Sequence, residues 1–433
     1  MSLFRHASFR KYFANTSWLA AERVFRLGVN FLVGIYVARY LGPQRFGELS
    51  YAMSFVGLFS VVALLGLDGI VVRELVKDEG RNDELLGTAF WLKLVGALLI
   101  LVCLGVVVPV TSASPEEKIL VFLIAAGLLF QSLNVIDFFF QSRVQSRYVV
   151  QAQLGQILLS SLIRIYLVWL EAALIWFAIA MIVDSAVLAF GLVINYWRND
   201  RHIQRWRFRM DIARRLFRDS WPLILSGIVV SIYMKVDQVM IREMLGAEDV
   251  GNYAAAVRLS EVWYFIPMII SSSLFPAVLK AREADQEKYF ALLQGIYSLG
   301  TWLAISVMLP IALFAKEIVT FSYGIDYAES ARLLAIYAWA NLFVFFGVLK
   351  GNWVLAENQQ IYNIVFQSIG MAINVVLNLV LIPIIGPEGA VYATLACVVS
   401  NTLISPLFIN KKQRVQTLMF IKSINPAYMA RVL

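Results

Sequence analysis

Charged side chains stand inside runs of apolar residues long enough to cross a lipid bilayer. Residues 16–40 carry Glu22, Arg23 and Arg26, and residues 220–245 carry Lys235 and Asp237. On insertion scales a charge at the middle of the hydrocarbon costs about 3 kcal/mol, so such groups face a water- or ligand-filled interior or pair with each other. Several cations directed into one interior suit a dense anion, which arginine grips through charge-assisted, often bidentate, hydrogen bonds. Arg23, Arg26, Lys235 and Arg258 are therefore the candidate substrate ligands. Glu22, Asp237 and Glu261 are the carboxylates that either pair with them or carry a coupling ion.

Helical spacing refines these roles. Glu22 and Arg26 stand four residues apart and share a face. Lys235, Gln238 and Arg242 form a stripe, whereas Asp237 points about 200° away from Lys235 around the helix. That direction aims Asp237 at another helix or at an ion. Arg258 and Glu261 share a face, as substrate contacts or as a structural pair, and Pro267 beyond them is positioned to kink the helix. Arg164 and Asp184 are single charges in separate helices and are expected to pair. Arg39, Lys350, Asp68 and Asp137 stand near helix ends and are read as snorkelling or terminal.

Other chemistries lack their residues. There is no G-x4-G-K-[ST], no H-E-x-x-H and no D-x-D, and His6 and His202 are the only histidines. The missing motifs argue against ATP hydrolysis and metal-assisted hydrolysis. Cys103 and Cys397, the only cysteines, lie within apolar runs and offer neither a disulfide framework nor a thiolate metal site. No cofactor is expected, which leaves a proton or sodium gradient as the energy source.

The elements that must position these charges are membrane helices. Hydrophobic residues make up 60% of the 433-residue chain and charged residues 15%, against about 45–50% and about 25% in soluble domains. Mean hydropathy is +0.73. Twelve segments reach the length of about 20 apolar residues that a crossing needs: 16–40, 46–67, 85–109, 118–141, 148–170, 172–197, 220–245, 251–279, 290–314, 329–355, 361–385 and 388–410. The net charge of +8 does not indicate nucleic acid, because the cations are sorted by connection. With the N-terminus inside, outer connections hold only Arg45 and Lys316. Inner ones hold Arg73, Lys77, Arg81, Arg143, Arg147, Lys280, Arg282 and Lys288. This bias places both termini and the arginine-rich connection 198–219 in the cytoplasm. That connection suits a stretch lying on the anionic inner leaflet.

An internal repeat sets the architecture. The first helix starts with Ser17-Trp18 and ends in Leu41-Gly42, followed by Gly47 and Ala52; the seventh starts with Ser220-Trp221 and ends in Leu245-Gly246, followed by Gly251 and Ala256. Both copies cross in the same direction, which implies parallel repeats about an axis along the membrane normal. The expectation is an all-α polytopic membrane protein of twelve transmembrane helices, in two six-helix lobes around a central cavity. Residues 1–197 form the first lobe, 198–219 a basic linker, 220–410 the second lobe and 411–433 a cytoplasmic tail.

The same residues carry a family resemblance. The opening from Ser17 through Y-V-A-R-Y-L-G-P-Q-R-F-G-E-L-S-Y-A, the run L-G-L-D-G-I-V-V-R-E-L, the stretch Val236 to Glu261, and G-P-E-G-A-V-Y-A-T from Gly386 to Thr394 resemble the O-antigen flippases. Those belong to the multidrug/oligosaccharidyl-lipid/polysaccharide exporter superfamily, and the resemblance covers essentially the whole chain. One departure is the turn L-E-A-A-L before the sixth helix, which lacks the glycines of its second-half counterpart.

The resemblance implies a two-lobed alternating-access transporter. It would carry an undecaprenyl-pyrophosphate-linked oligosaccharide from the inner to the outer leaflet of a bacterial plasma membrane, as a step in O-antigen, lipopolysaccharide or related polysaccharide biosynthesis. Its partners would be that lipid, the surrounding membrane lipids and polysaccharide polymerase machinery, with no nucleic acid; nothing in the sequence requires more than a monomer. Two rivals remain. A cation-coupled drug exporter of the same superfamily would favour an acidic cavity. A polytopic glycosyltransferase or polymerase needs catalytic groups on a sizeable outer loop, and the longest here, about residues 315–330, is short.

Overall fold

The computed structural model describes residues 7–426, with side chains placed from Val24 on, Glu79 excepted. Among these residues all regular structure is helical. Two compact units are present, one made of the chain up to Leu41 with Glu48–Ser231, the other of Gly42–Gly47 with the chain from Ile232 on.

The first unit contains α1 (Ala7–Leu64, broken at Gly42), α2 (Asp68–Lys77), α3 (Asn82–Val107), α4 (Pro115–Gln131), α5 (Val135–Ser142), α6 (Ser146–Trp169), α7 (Leu174–Arg198) and the start of α8 (Met210–Met244). Its core joins Leu67, Val71, Leu86, Ile136, Phe140, Leu192 and Tyr196. The start of α4 is specified locally: the Ser114 hydroxyl accepts from the Glu117 amide while Glu117 accepts from the Ser114 amide, a reciprocal cap worth about 1 kcal/mol. The arginine-rich connection packs on this unit. The Arg207 amide donates to the Asp83 carbonyl (3.2 Å), the Arg209 amide to Thr88 Oγ1 (3.0 Å), and the Trp206 ring contacts Phe90 and Tyr196.

The second unit contains the rest of α8, then α9 (Ala247–Glu261), α10 (Phe265–Ala284), α11 (Gln286–Leu313), α12 (Ala315–Ser322), α13 (Ala328–Tyr337), α14 (Ala340–Ala356), α15 (Gln360–Ile385), α16 (Pro387–Val399), α17 (Ser405–Ile409) and α18 (Lys411–Ser423). A 3-10 turn at Val262–Tyr264, three residues before Pro267, lies between α9 and α10, and Ala247–Ala284 runs on as one span. Residues expected as a tail form α18, which packs into the unit. Phe420 stacks on Phe346 at 4.1 Å, Tyr297 donates to Gln416 (2.7 Å), and the Thr301 and Ser423 hydroxyls meet at 2.7 Å.

Among the described residues ten helical stretches are long and apolar enough to cross a membrane, and the bent pair Ile325–Tyr337 with Ala340–Ala356 adds an eleventh. The first stretch, Val24–Lys77, has 54 residues, enough for two crossings, and contains the Gly42 break. The chain is thus an all-α polytopic membrane protein that accommodates the twelve crossings expected from the sequence. Large apolar side chains such as Leu99, Val102, Leu162, Trp169, Ile384 and Phe408 are exposed on the helices, the surface a lipid solvent favours.

The repeated glycine turn has a packing reason. Gly42 (φ 70°) and Gly246 (φ 148°) hold positive-φ breaks between helices, which residues with a Cβ rarely adopt. Within the second unit the two turns meet backbone to backbone. A Cβ at Gly47 would lie 1.7 Å from the Ala247 carbonyl oxygen, and one at Gly251 would lie 1.9 Å from that of Pro43. Equivalent positions of the two copies therefore contact each other reciprocally.

Candidate functional site

Asp237 is the most strongly organised charge of the second unit. Its side chain is 3% exposed. Oδ2 accepts from the Tyr253 hydroxyl (2.7 Å) and the Thr394 hydroxyl (2.5 Å), and Oδ1 accepts from Asn378 Nδ2 (2.6 Å). Asn378 also donates to Asn374 Oδ1 (3.3 Å). α8, α9, α15 and α16 thus converge on one carboxylate. No cation lies within ion-pair distance of it among the described residues, and its four neighbours are all neutral. An apolar environment makes an isolated carboxylate very costly unless it is hydrogen-bonded, protonated or met by a cation. Four oxygen-bearing side chains around it are hard donors of the kind that suit a proton or an alkali or alkaline-earth ion.

Glu261 forms the adjoining group at the end of α9. It lies within electrostatic reach of Lys235, Tyr337 and Arg258. The Tyr337 ring meets the Tyr253 ring edge-on at 6.3 Å, and Tyr253 in turn donates to Asp237. Lys235 and Arg258 therefore both neighbour Glu261. The Arg258 guanidinium also covers the Phe46 ring at 4.9 Å.

Within the first unit Arg26 is partly exposed and lies within electrostatic reach of Asp137, which also feels Lys93 and Asp68. Lys93 is 3% exposed near the middle of α3. Its ammonium contacts Asp68 Oδ1 at 3.3 Å and lies 4.5 Å over the Phe138 ring. Arg164 and Asp184 form an ion pair between α6 and α7. The Glu22 and Arg23 side chains lie outside the described residues.

Several members of these groups were hidden in the sequence reading. Asp68 and Asp137 stand in the first turns of α2 and α5, as their terminal reading expects, and both also lie within reach of Lys93. Lys93 itself was missed, although a single lysine in an apolar helix is a visible signal. Lys350, taken as snorkelling, is 5% exposed, and its ammonium lies 5.9 and 5.8 Å from the Phe346 and Phe366 rings. Asn374 and Asn378, four apart in an apolar helix, marked the face that meets Asp237. Tyr253, Tyr337 and Thr394 carried no such signal, because only contacts between distant segments give them a role. A separate cavity of about 410 Å³ is lined by Arg282, Tyr289, Trp353, Glu357, Lys412 and Gln416. Glu357 there accepts from Arg282 (2.8 Å) and pairs with Lys412 (3.6 Å).

Comparison with known proteins places this architecture. A probable low-salt glycan biosynthesis flippase of Haloferax volcanii, Agl15, is 23% identical over 397 residues, covering 89% of this chain and 81% of its own. A putative O-antigen transporter of Shigella flexneri is 23% identical over 58% of this chain and 63% of its own. The lipid II flippase MurJ in an inward closed conformation superposes with a TM-score of 0.70 at 14% identity, over 92% of this chain and 90% of its own. That likeness establishes the fold. Residues 12–282 match the polysaccharide biosynthesis protein family, and the chain belongs to that family.

Proposed function

We propose that this protein is a flippase for an undecaprenyl-pyrophosphate-linked oligosaccharide, moving it from the inner to the outer leaflet of a bacterial plasma membrane by alternating access. Family membership and the named activities of the relatives support lipid-linked glycan transport. The polyprenyl tail stays in hydrocarbon while the pyrophosphate and glycan cross a polar interior. Lys235 and Arg258 of the second unit, and separately Arg26 with Arg23 of the first, are the cations offered to the pyrophosphate. Both termini are cytoplasmic, the protein acts as a monomer, and polymerase machinery consumes the flipped lipid.

The observation that carries the energy coupling is the buried Asp237 carboxylate, which has three neutral donors and no ion pair among the described residues. A proton or sodium ion completes it. Glu261 lies within electrostatic reach of Lys235, Arg258 and Asp237, so an anion bound at those cations changes the field at the ion site.

Proteoliposomes loaded with a polyprenyl-pyrophosphate oligosaccharide test the reading. Wild-type protein flips the lipid, and Arg26→Ala with Lys235→Ala abolishes flipping while the thermal melt is kept. Flipping retained by the double variant discards the cationic site. Failure of well-folded wild type on several such lipids overturns the function.

A further inference from the structure

The cavity of about 410 Å³ in the second unit takes no part in the Asp237 cluster. Its volume lies within the range of about 300–1,000 Å³ usual for small-ligand clefts. Four helices meet there: α10 brings Arg282, α11 Tyr289, the end of α14 Trp353 and Glu357, and α18 Lys412.

The charges at the cavity do not cancel. Arg282, Lys412 and Glu357 are its charged lining residues among those described. Glu357 accepts from Arg282 (2.8 Å) and pairs with Lys412 at 3.6 Å, which leaves one positive charge over. Tyr289 is 3% exposed, and its hydroxyl is buried near Glu357 yet makes no hydrogen bond. A buried hydroxyl ordinarily has a partner, so an orphan donor beside unbalanced cations calls for an anionic acceptor. The buried Trp353 ring adds an aromatic wall for the less polar part of such a ligand.

Two features of place favour a lipid over a soluble anion. Arg282 and Tyr289 flank the junction of two membrane-length stretches, Ala247–Ala284 and Gln286–Leu313, where hydrocarbon gives way to headgroups. α18 also has the character of an interfacial helix. Its exposed Lys411, Lys412, Arg414 and Lys422 accompany Val415, Leu418 and Ile421, which are exposed and three residues apart.

We propose that this cavity binds the headgroup of an anionic phospholipid, a phosphodiester with one negative charge, and that the bound lipid pins α18 to α10, α11 and α14. Arg282 and Lys412 meet the phosphate oxygens, the Tyr289 hydroxyl donates to the same group, and the glycerol packs on Trp353. One charge matches the one left over at the cavity, whereas a pyrophosphate brings more than the site balances.

The test is phosphatidylglycerol binding to the full chain in detergent, read as retained lipid by native mass spectrometry and as hydrogen exchange along α18. Phosphatidylcholine and glycerol 1-phosphate are the comparisons, and thermal melts verify folding. Wild type binds phosphatidylglycerol about tenfold or more tighter than either, and exchange in α18 slows. Arg282→Gln with Lys412→Gln loses about tenfold or more of that affinity. Glu357→Gln, which removes the competing carboxylate, tightens binding. Equal binding of the two lipids overturns the inference, and so does an unchanged double variant. Glycerol 1-phosphate binding as tightly as phosphatidylglycerol assigns the site to a soluble anion instead. A Glu357→Gln protein that weakens as the double variant does makes the cluster merely structural. Flipping plays no part in this assay, so loss of lipid binding leaves the flippase reading standing, and failure to flip leaves this site standing.

Discussion

Replacing Asp237 separates a coupling carboxylate from a structural one. Asp237→Asn preserves shape and removes the charge, whereas Asp237→Ala strands the donors of Tyr253, Thr394 and Asn378. A buried donor left unpaired costs about 1–3 kcal/mol. Three such donors, partly re-paired with one another, give about 3–6 kcal/mol for the alanine variant. The asparagine keeps one accepting oxygen and loses about 1–3 kcal/mol. Transport carries a different magnitude. One elementary charge moved across 100 mV is worth about 2.3 kcal/mol, roughly a 50-fold bias in distribution. A wild type coupled to one cation therefore drives flipped lipid to tens of times its passive ratio. The asparagine variant drops to the passive ratio while keeping passive exchange. The assay is transbilayer distribution of labelled lipid in proteoliposomes with and without an imposed potential, alongside detergent melts. An Asp237→Asn protein that still responds to the potential refutes the coupling role; a melt showing it unfolded is answered by Tyr253→Phe, which removes one donor and keeps the carboxylate.

Other perturbations follow from the packing. Gly251→Ala places a Cβ 1.9 Å from the Pro43 carbonyl oxygen, so overpacking costs about 1–3 kcal/mol and lowers the melting temperature. Gly69→Ala, whose Cβ meets nothing within 4 Å, is neutral or stabilising by up to about 1 kcal/mol; equal melts for the two contradict the close-approach reading. Arg164→Ala leaves the half-buried Asp184 without its partner and destabilises by about 1–3 kcal/mol. Arg164→Leu with Asp184→Leu recovers most of that loss, and a double variant as unstable as the single would show that the pair is not the cause. Phe420→Ala removes the ring stacked on Phe346 and costs about 3–5 kcal/mol by thermal or denaturant unfolding. A cost near zero would make α18 a loosely attached tail.

Much of this protein is fixed by local chemistry. Apolar runs such as Leu174–Arg198 must become helices in hydrocarbon, because lipid offers no other partner for their amides. The glycines at 42 and 246 break those helices wherever the backbone takes positive φ. Charges such as Lys235 and Asp237 stand out because hydrocarbon penalises them one residue at a time, whatever their surroundings. What such a charge meets is another matter. Asp237 finds Asn378 and Thr394, 141 and 157 residues away. Lys350 looked free to snorkel by its distance from a helix end, yet the fold buries it between two rings. Gly47 and Gly251 read as turn residues, and only their reciprocal contact shows that they must also be bare. Periodicity records which face of a helix is apolar, and each of these outcomes depends on which other face lies against it. Hydrogen bonds and ion pairs act over a few ångströms, so the partner of a buried charge exists only once distant segments have packed.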